Sequence, residues 1–194
     1  ATTADNDYVA GTGTGTIAAG GATATTTVTV VVNGDTKFET DETFTINATV
    51  TGGTISGTGR YLKEQNPNIK VIMPDPIGSI YYQYFKTGRI PAGGNCNYFV
   101  EGIGEDHIAQ AMDFSIVDEM MQFTDKDAFG VARELARKEG IFAGGSSGAN
   151  VWGALQIAKR LKQPATIVTI RPDGGIKYLS KMYNDDWMKA NKLL

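Results

Sequence analysis

The chain has 194 residues, 18 Lys or Arg against 21 Asp or Glu, a formal net charge of −3 and 41% hydrophobic residues, enough apolar material for a buried core in one or two domains. A slightly acidic balance without a Lys/Arg cluster argues against nucleic acid or an anionic membrane as a partner, and no apolar run approaches the roughly 20 residues of a membrane span. Cys96 stands alone, so the sequence has no disulfide framework, and its opening lacks both Met and the basic and apolar regions of a signal peptide, the expected look of a piece of a longer chain.

Residues 1–51 carry one basic residue, Lys37, and are dominated by Thr, Gly, Ala and Val. "ATTTVTVVV", then Asn33-Gly34-Asp35, then "TKFETDETFTINATV" reads as two strands joined by a turn, because β-branched residues favour a pleated surface. From Gly52 the pattern changes to short apolar runs alternating with helical periods. "GTGRYLKEQNP" predicts a helix from about Ile55, "KVIMPDP" a strand and "SIYYQYFKTGRIP" a short helix. "VDEMMQFT" predicts a strand, and Thr124 with Asp127 marks the start of a helix running to Gly140. "GIFAGG" predicts a strand, "GANVWGALQIAKRLKQP" a helix, "ATIVTIRPD" a strand and "KYLSKMYNDDWMKANKLL" a closing helix. Strands separated by helices imply crossovers, hence an α/β fold with a parallel sheet and helices on both faces, preceded by a β-rich segment. The domain boundary is expected near Thr51: residues 1–51 and 52–194.

Two glycine turns precede helices. In "TGGTISGTG" the free N–H groups of a helix start and the close approach that glycine allows suit a phosphate, although a tight strand-to-helix turn accounts equally for these residues alone. In "AGGSSGAN" Ser146 or Ser147 reads as an N-cap. The only histidine, His107, reads as a surface or first-turn residue, which leaves no basis for a hydrolase triad or a zinc site. Asp35, Glu39, Asp41 and Glu42, with Asp7, could gather oxygen ligands for Ca²⁺, and solvated turns would look the same.

Residues 51–194 resemble the C-terminal part of cystathionine beta-synthase and, more distantly, cysteine synthase, the fold-type-II pyridoxal-phosphate enzymes. The resemblance rests on "TGGTISGTGRYLKEQNP", "YFVEGIGEDHIAQAMD", "VDEMMQFTDKDAF", "AGGSSGAN" and "PDGGIKYLSKMYNDDWM", in the family's order and spacing. It implies that Thr51, Gly52, Gly53 and Thr54 hold the cofactor phosphate, with Val50 standing where the family's first loop glycine belongs. It implies that the Ser146 hydroxyl meets the pyridine nitrogen, that Glu101–Gly104 borders the substrate entrance, and that Gly174 replaces a serine near the ring. The family's cofactor-attaching lysine and its carboxylate-gripping loop belong to an N-terminal half with no counterpart here, so no catalytic residue is assigned. The expected activity is β-replacement joining serine or an activated serine to a thiol, in a cytoplasmic, dimeric enzyme with a small amino-acid substrate, and this chain alone is expected to be inactive.

"NDYVAGTGTGTIAAGGATATTTVTVVVNGDTKFETDETFTINATV" resembles the later strands of a Calx-beta domain, which strengthens the Ca²⁺ expectation for Asp35, Glu39, Asp41 and Glu42 and gives an alternative reading as a calcium-binding or adhesion module. Two compositions meeting inside a phosphate loop lead us to expect a chimeric or truncated reading frame.

Overall fold

In a computed structural model the chain divides into two compact units, residues 1–42 and 43–194. Residues 46–47, 53–93 and 97–194 are described, all within the second unit. Of the two strands expected in the opening segment, the first lies outside them, and the second, over residues 36–50, is described only at Ile46–Asn47.

The second unit is α/β, with parallel strands and helices packed on them. Strand β1 (Ile46–Asn47) is followed by helix α1 (Gly53–Gln65), β2 (Ile72–Pro76), α2 (Tyr81–Thr87), β3 (Glu119–Phe123), α3 (Asp125–Glu139), α4 (Gly145–Arg160), β4 (Val168–Thr169) and α5 (Asp185–Ala190). β2 is buried along its whole length, as an apolar run covered from both sides should be, and pairs in parallel with β3 from Ile72 opposite Glu119 to Pro76 opposite Phe123. Ile77 N donates to Phe123 O at 2.9 Å. Alternate residues share an edge, so Pro74 and Pro76 turn their missing N–H groups to the other edge of β2, where proline costs no bond to β3. β1 pairs in parallel with β4, Ile46 opposite Val168 and Asn47 opposite Thr169. Helix α4 packs against β1, β2 and β4, α2 against β3, and α1 against β1.

Two apolar clusters hold this arrangement. One gathers Ile55 of α1, Val71, Met73 and Met120 with Ile80, Tyr81 and Ile116. The other gathers Phe123, Phe129 and Ala132 with Ala149, Met182 and Met188. The start of α3 follows the expected pattern: Thr124 Oγ1 accepts from Asp127 N while the Asp127 carboxylate accepts from Thr124 N, a reciprocal cap whose loss costs about 1 kcal/mol.

Several expectations need correction. α4 begins at Gly145, three residues before the expected start, and its N-cap is Gly144 without a side-chain bond, so Ser146 and Ser147 are first-turn residues rather than caps. The strand expected in "GIFAGG" reduces to one antiparallel bridge between Ala143 and Gly174, and the one expected in "ATIVTIRPD" to the two residues of β4. The closing helix is a 3₁₀ turn over Gly175–Tyr178 followed by α5. The break comes at Asn184, whose side chain accepts from Asp186 N and Trp187 N and so starts a new helix. His107 lies in an irregular exposed segment, not in a helix.

Candidate active site

Gly53 and Thr54 open α1, so of the four residues expected to cradle a phosphate these two stand where a 13-residue helix presents its free N–H groups. Thr51 and Gly52 lie outside the described residues. The start of α1 is held by its own sequence. Ile55, Ser56 and Gly59 are its buried face, and Ser56 Oγ accepts from Asp113 N at 2.8 Å. A Cβ on Gly59 would stand 2.8 Å from Ile116 Cδ1, so a larger residue here would require the end of the Ile116 side chain to shift. Arg60 reaches Asp113 at 2.8 Å, and hydrogen bonds from Ser115 with this guanidinium hold the Asp113 carboxyl down at about 2.

The second turn is built by close approach. A Cβ on Gly144 would fall 2.0 Å from Asp173 Oδ1, and one on Gly145 would fall 2.7 Å from Phe129 Cε1. Gly144 N donates to Asp173 O at 3.2 Å, and Tyr178 Oη donates to Asp173 Oδ2 at 2.7 Å, which ties the "RPDGG" segment to the start of α4. Burial, followed by the Asp173 carboxylate, pushes the Tyr178 phenol up, so it stays a donor. Ser146 is 4% exposed, but the hydroxyl of this turn that is buried without a partner is Ser147 Oγ. Gly174 has open space around it. α1 and α4, whose starts are expected to hold the two ends of a cofactor, both contact β1.

The Glu101–Gly104 segment is set by its glycines, Gly102 at φ 76° and Gly104 at φ 77°, a left-handed conformation that other residues resist. Lys181 forms an ion pair with Glu101. Asp125 Oδ1 accepts from Phe99 N at 2.9 Å and Val100 N at 2.8 Å, fixing the approach to this segment. Ser79 Oγ accepts from Glu105 N at 3.1 Å and ties its exit to the turn after β2.

The sequence reading missed Asp75, fully buried one residue before the end of β2. Its Oδ2 accepts from Tyr82 N at 2.9 Å while Oδ1 has no partner, and burial pushes its carboxyl up to about 6. The signal was a carboxylate between two prolines in an otherwise apolar strand. Burial with the nearby Asp75 carboxylate pushes the Tyr98 phenol up to about 12. Glu105, Asp106 and His107 bring three ligand-type atoms within 4.8 Å of one another, with Asp106 and His107 exposed. Asp35, Glu39, Asp41 and Glu42 lie outside the described residues.

The buried Ser146 in the first turn of α4, the cramped Gly144 and Gly145 beside it and a second helix start with Gly53 and Thr54 suit a pyridine ring and its phosphate arm. A lysine to attach the group is not supplied by the described residues. None of their lysines is buried, and Lys177, 4.0 Å from Asp173, has a 76% exposed side chain.

Parallel strands joined through helices, with glycine turns at two helix starts, define an α/β domain of the kind that holds a phosphate-bearing cofactor at helix termini. The chain belongs to the pyridoxal-phosphate dependent enzyme family, whose model matches residues 39–173, a span that begins ahead of the boundary expected near Thr51. It is 43% identical over 148 residues to the cystathionine beta-synthase of Apis mellifera, covering 74% of this chain and 28% of that protein. It is 35% identical over 150 residues to a putative cysteine synthase of Sinorhizobium fredii, covering 74% of this chain and 41% of that protein. Against the O-acetylserine dependent cystathionine beta-synthase of Bacillus subtilis it is 40% identical over 130 residues, with 67% of this chain and 39% of that protein covered. The crystal structure of an O-ureido-L-serine synthase superposes with a TM-score of 0.63 at 25% identity, covering 76% of this chain and 46% of that one. The chain thus spans less than half the length of each of these proteins. No helix among the described residues is long and apolar enough to cross a membrane.

Proposed function

We propose that this chain is the cofactor-holding part of a β-replacement enzyme of sulfur amino-acid metabolism, joining serine or an activated serine to a thiol, and that it is inactive alone because the attaching lysine comes from sequence beyond it. The observation that carries this reading is the first turn of α4, where Ser146 is 4% exposed beside Gly144 and Gly145, which leave no room for a Cβ. When bound, pyridoxal phosphate supplies an electron sink for the substrate α-carbon. Ser146 would donate to the ring nitrogen, and a neutral hydroxyl there leaves that nitrogen largely unprotonated, a milder sink suited to β-replacement. Gly53 and Thr54, with Thr51 and Gly52, would hold the phosphate on backbone N–H groups. The Glu101–Gly104 segment would border the substrate, its backbone set by the two left-handed glycines.

In this reading the Calx-beta-like module expected over residues 1–51 ends ahead of β1, whose Ile46 and Asn47 pair with β4, and contiguous genomic reads across that junction test it. The enzyme reading is tested by replacing residues 1–51 with the lysine-bearing segment of a related cystathionine beta-synthase and restoring Gly-Thr ahead of Gly52. A yellow protein that joins serine to a thiol is expected. A folded, colourless and inactive hybrid would end the proposal.

A further inference from the structure

One cavity lies apart from the Ser146 hydroxyl. It has a volume of about 300 Å³ and is walled by Leu135 at the end of α3, Ile141, Val151 on α4 and Ile170 after β4. Its polar lining is Ser147, Thr169 and Arg171. Ser147 is 1% exposed with an unpartnered hydroxyl, and Thr169 Oγ1 is likewise buried without a partner. Two hydroxyls that have given up water without gaining a bond mark a place where a hydrogen-bonding group is missing. Arg171 has no ion pair among the described residues, and its hydrogen bond to Phe142 O is long, 3.5 Å. Thr169 and the exposed Arg171 both line the cavity, so the guanidinium and the Thr169 hydroxyl are available to the same occupant. Ser147 and Val151 are one turn apart on α4 and share the face that closes the cavity, whereas Ser146 points about 100° around the helix from Ser147.

We propose that this cavity binds a short aliphatic carboxylate. Arg171 pairs with the carboxylate, the hydroxyls of Thr169 and Ser147 donate to its oxygens, and the four aliphatic walls take a branched alkyl body. One cation against four apolar walls does not suit a phosphate ester or a nucleotide, and the buried hydroxyls do not suit a hydrocarbon. The size fits the small end of ligand cavities, about 300 Å³ upward. The site requires no pyridoxal phosphate and stands whether or not the cofactor reading holds.

The test is calorimetric titration of the full chain, without cofactor, with 3-methylbutanoate and with its neutral isostere 3-methylbutanamide. The acid should bind at least about tenfold more tightly than the amide, and Arg171→Met should bring the acid down to the amide's affinity. Ser147→Ala should weaken the acid several-fold, and Val151→Phe, which fills the cavity, should abolish binding of both. Equal affinity for acid and amide, indifference to Arg171→Met in a folded variant, or no heat from the acid up to about 10 mM with the folded protein overturns the proposal. Should Arg171→Met fail to fold, the acid-to-amide ratio of the unaltered chain decides by itself.

Discussion

The contact between α3 and α4 is testable through glycine. A Cβ at Gly148 would lie 2.0 Å from Ala128 O and 2.9 Å from Ala132 Cβ, and the first of these is backbone that moves only if α3 moves. Gly57 in α1 and Gly130 in α3 are also helical, but a Cβ on either meets nothing within 4 Å. In a helix interior Ala is favoured over Gly by about 0.8–1.0 kcal/mol. Gly57→Ala and Gly130→Ala should therefore stabilise the chain by about 0.5–1 kcal/mol each. At Gly148 the same gain is opposed by overpacking, typically about 1–3 kcal/mol and more where backbone is struck, so Gly148→Ala should destabilise by about 1–2 kcal/mol, or roughly 2–8 °C in Tm. Urea and thermal unfolding followed by far-ultraviolet circular dichroism reads the sign directly. If Gly148→Ala stabilises as the other two do, α3 and α4 do not meet at Ala128 and the placement of the α4 first turn is wrong.

Asp75 predicts a pH dependence of stability. Its native value near 6 against an ordinary 3.8 means that the folded state takes up its proton more readily than the unfolded one, so stability falls as pH rises from about 4 through about 6, by about 3 kcal/mol in total. Asp75→Asn should flatten urea midpoints across that window, and an unchanged slope would place the titration elsewhere. Ser146→Ala should weaken pyridoxal phosphate binding by one hydrogen bond, about 0.5–1.5 kcal/mol or two- to tenfold, in a fluorescence titration, and unchanged affinity would remove Ser146 from the ring nitrogen. Calorimetry with Ca²⁺ should give a dissociation constant no tighter than about 10⁻⁴ to 10⁻³ M, lost in Asp41→Ala, if Asp35, Glu39, Asp41 and Glu42 gather oxygens, and no heat at all would return them to solvated turns.

What the sequence showed best was whatever is decided locally. The Thr124 and Asp127 pair marks the start of α3 because a capping box is a property of four consecutive residues. The apolar run of β2 likewise reveals a strand by itself. "GIFAGG" misled because its residues read as a strand, whereas the tertiary demand is for Gly144 and Gly145 to pack against Asp173 and Phe129, which pulls α4 back to Gly145. Ser146 stood out through its family segment, but its burial did not, since burial depends on residues distant in the sequence. Asp75 stayed hidden for the same reason: its segment reads as a strand, but the burial of its carboxylate depends on Tyr82 and the neighbouring strand closing over it.

The decisive measurement is borohydride reduction of the chain incubated with pyridoxal phosphate, followed by intact mass and peptide mapping, with Ser146→Ala in parallel. The proposed function predicts weak binding that depends on Ser146 and only scattered, substoichiometric lysine adducts, because no described lysine is buried beside that hydroxyl. A single lysine modified in full, or binding indifferent to Ser146→Ala, would contradict it.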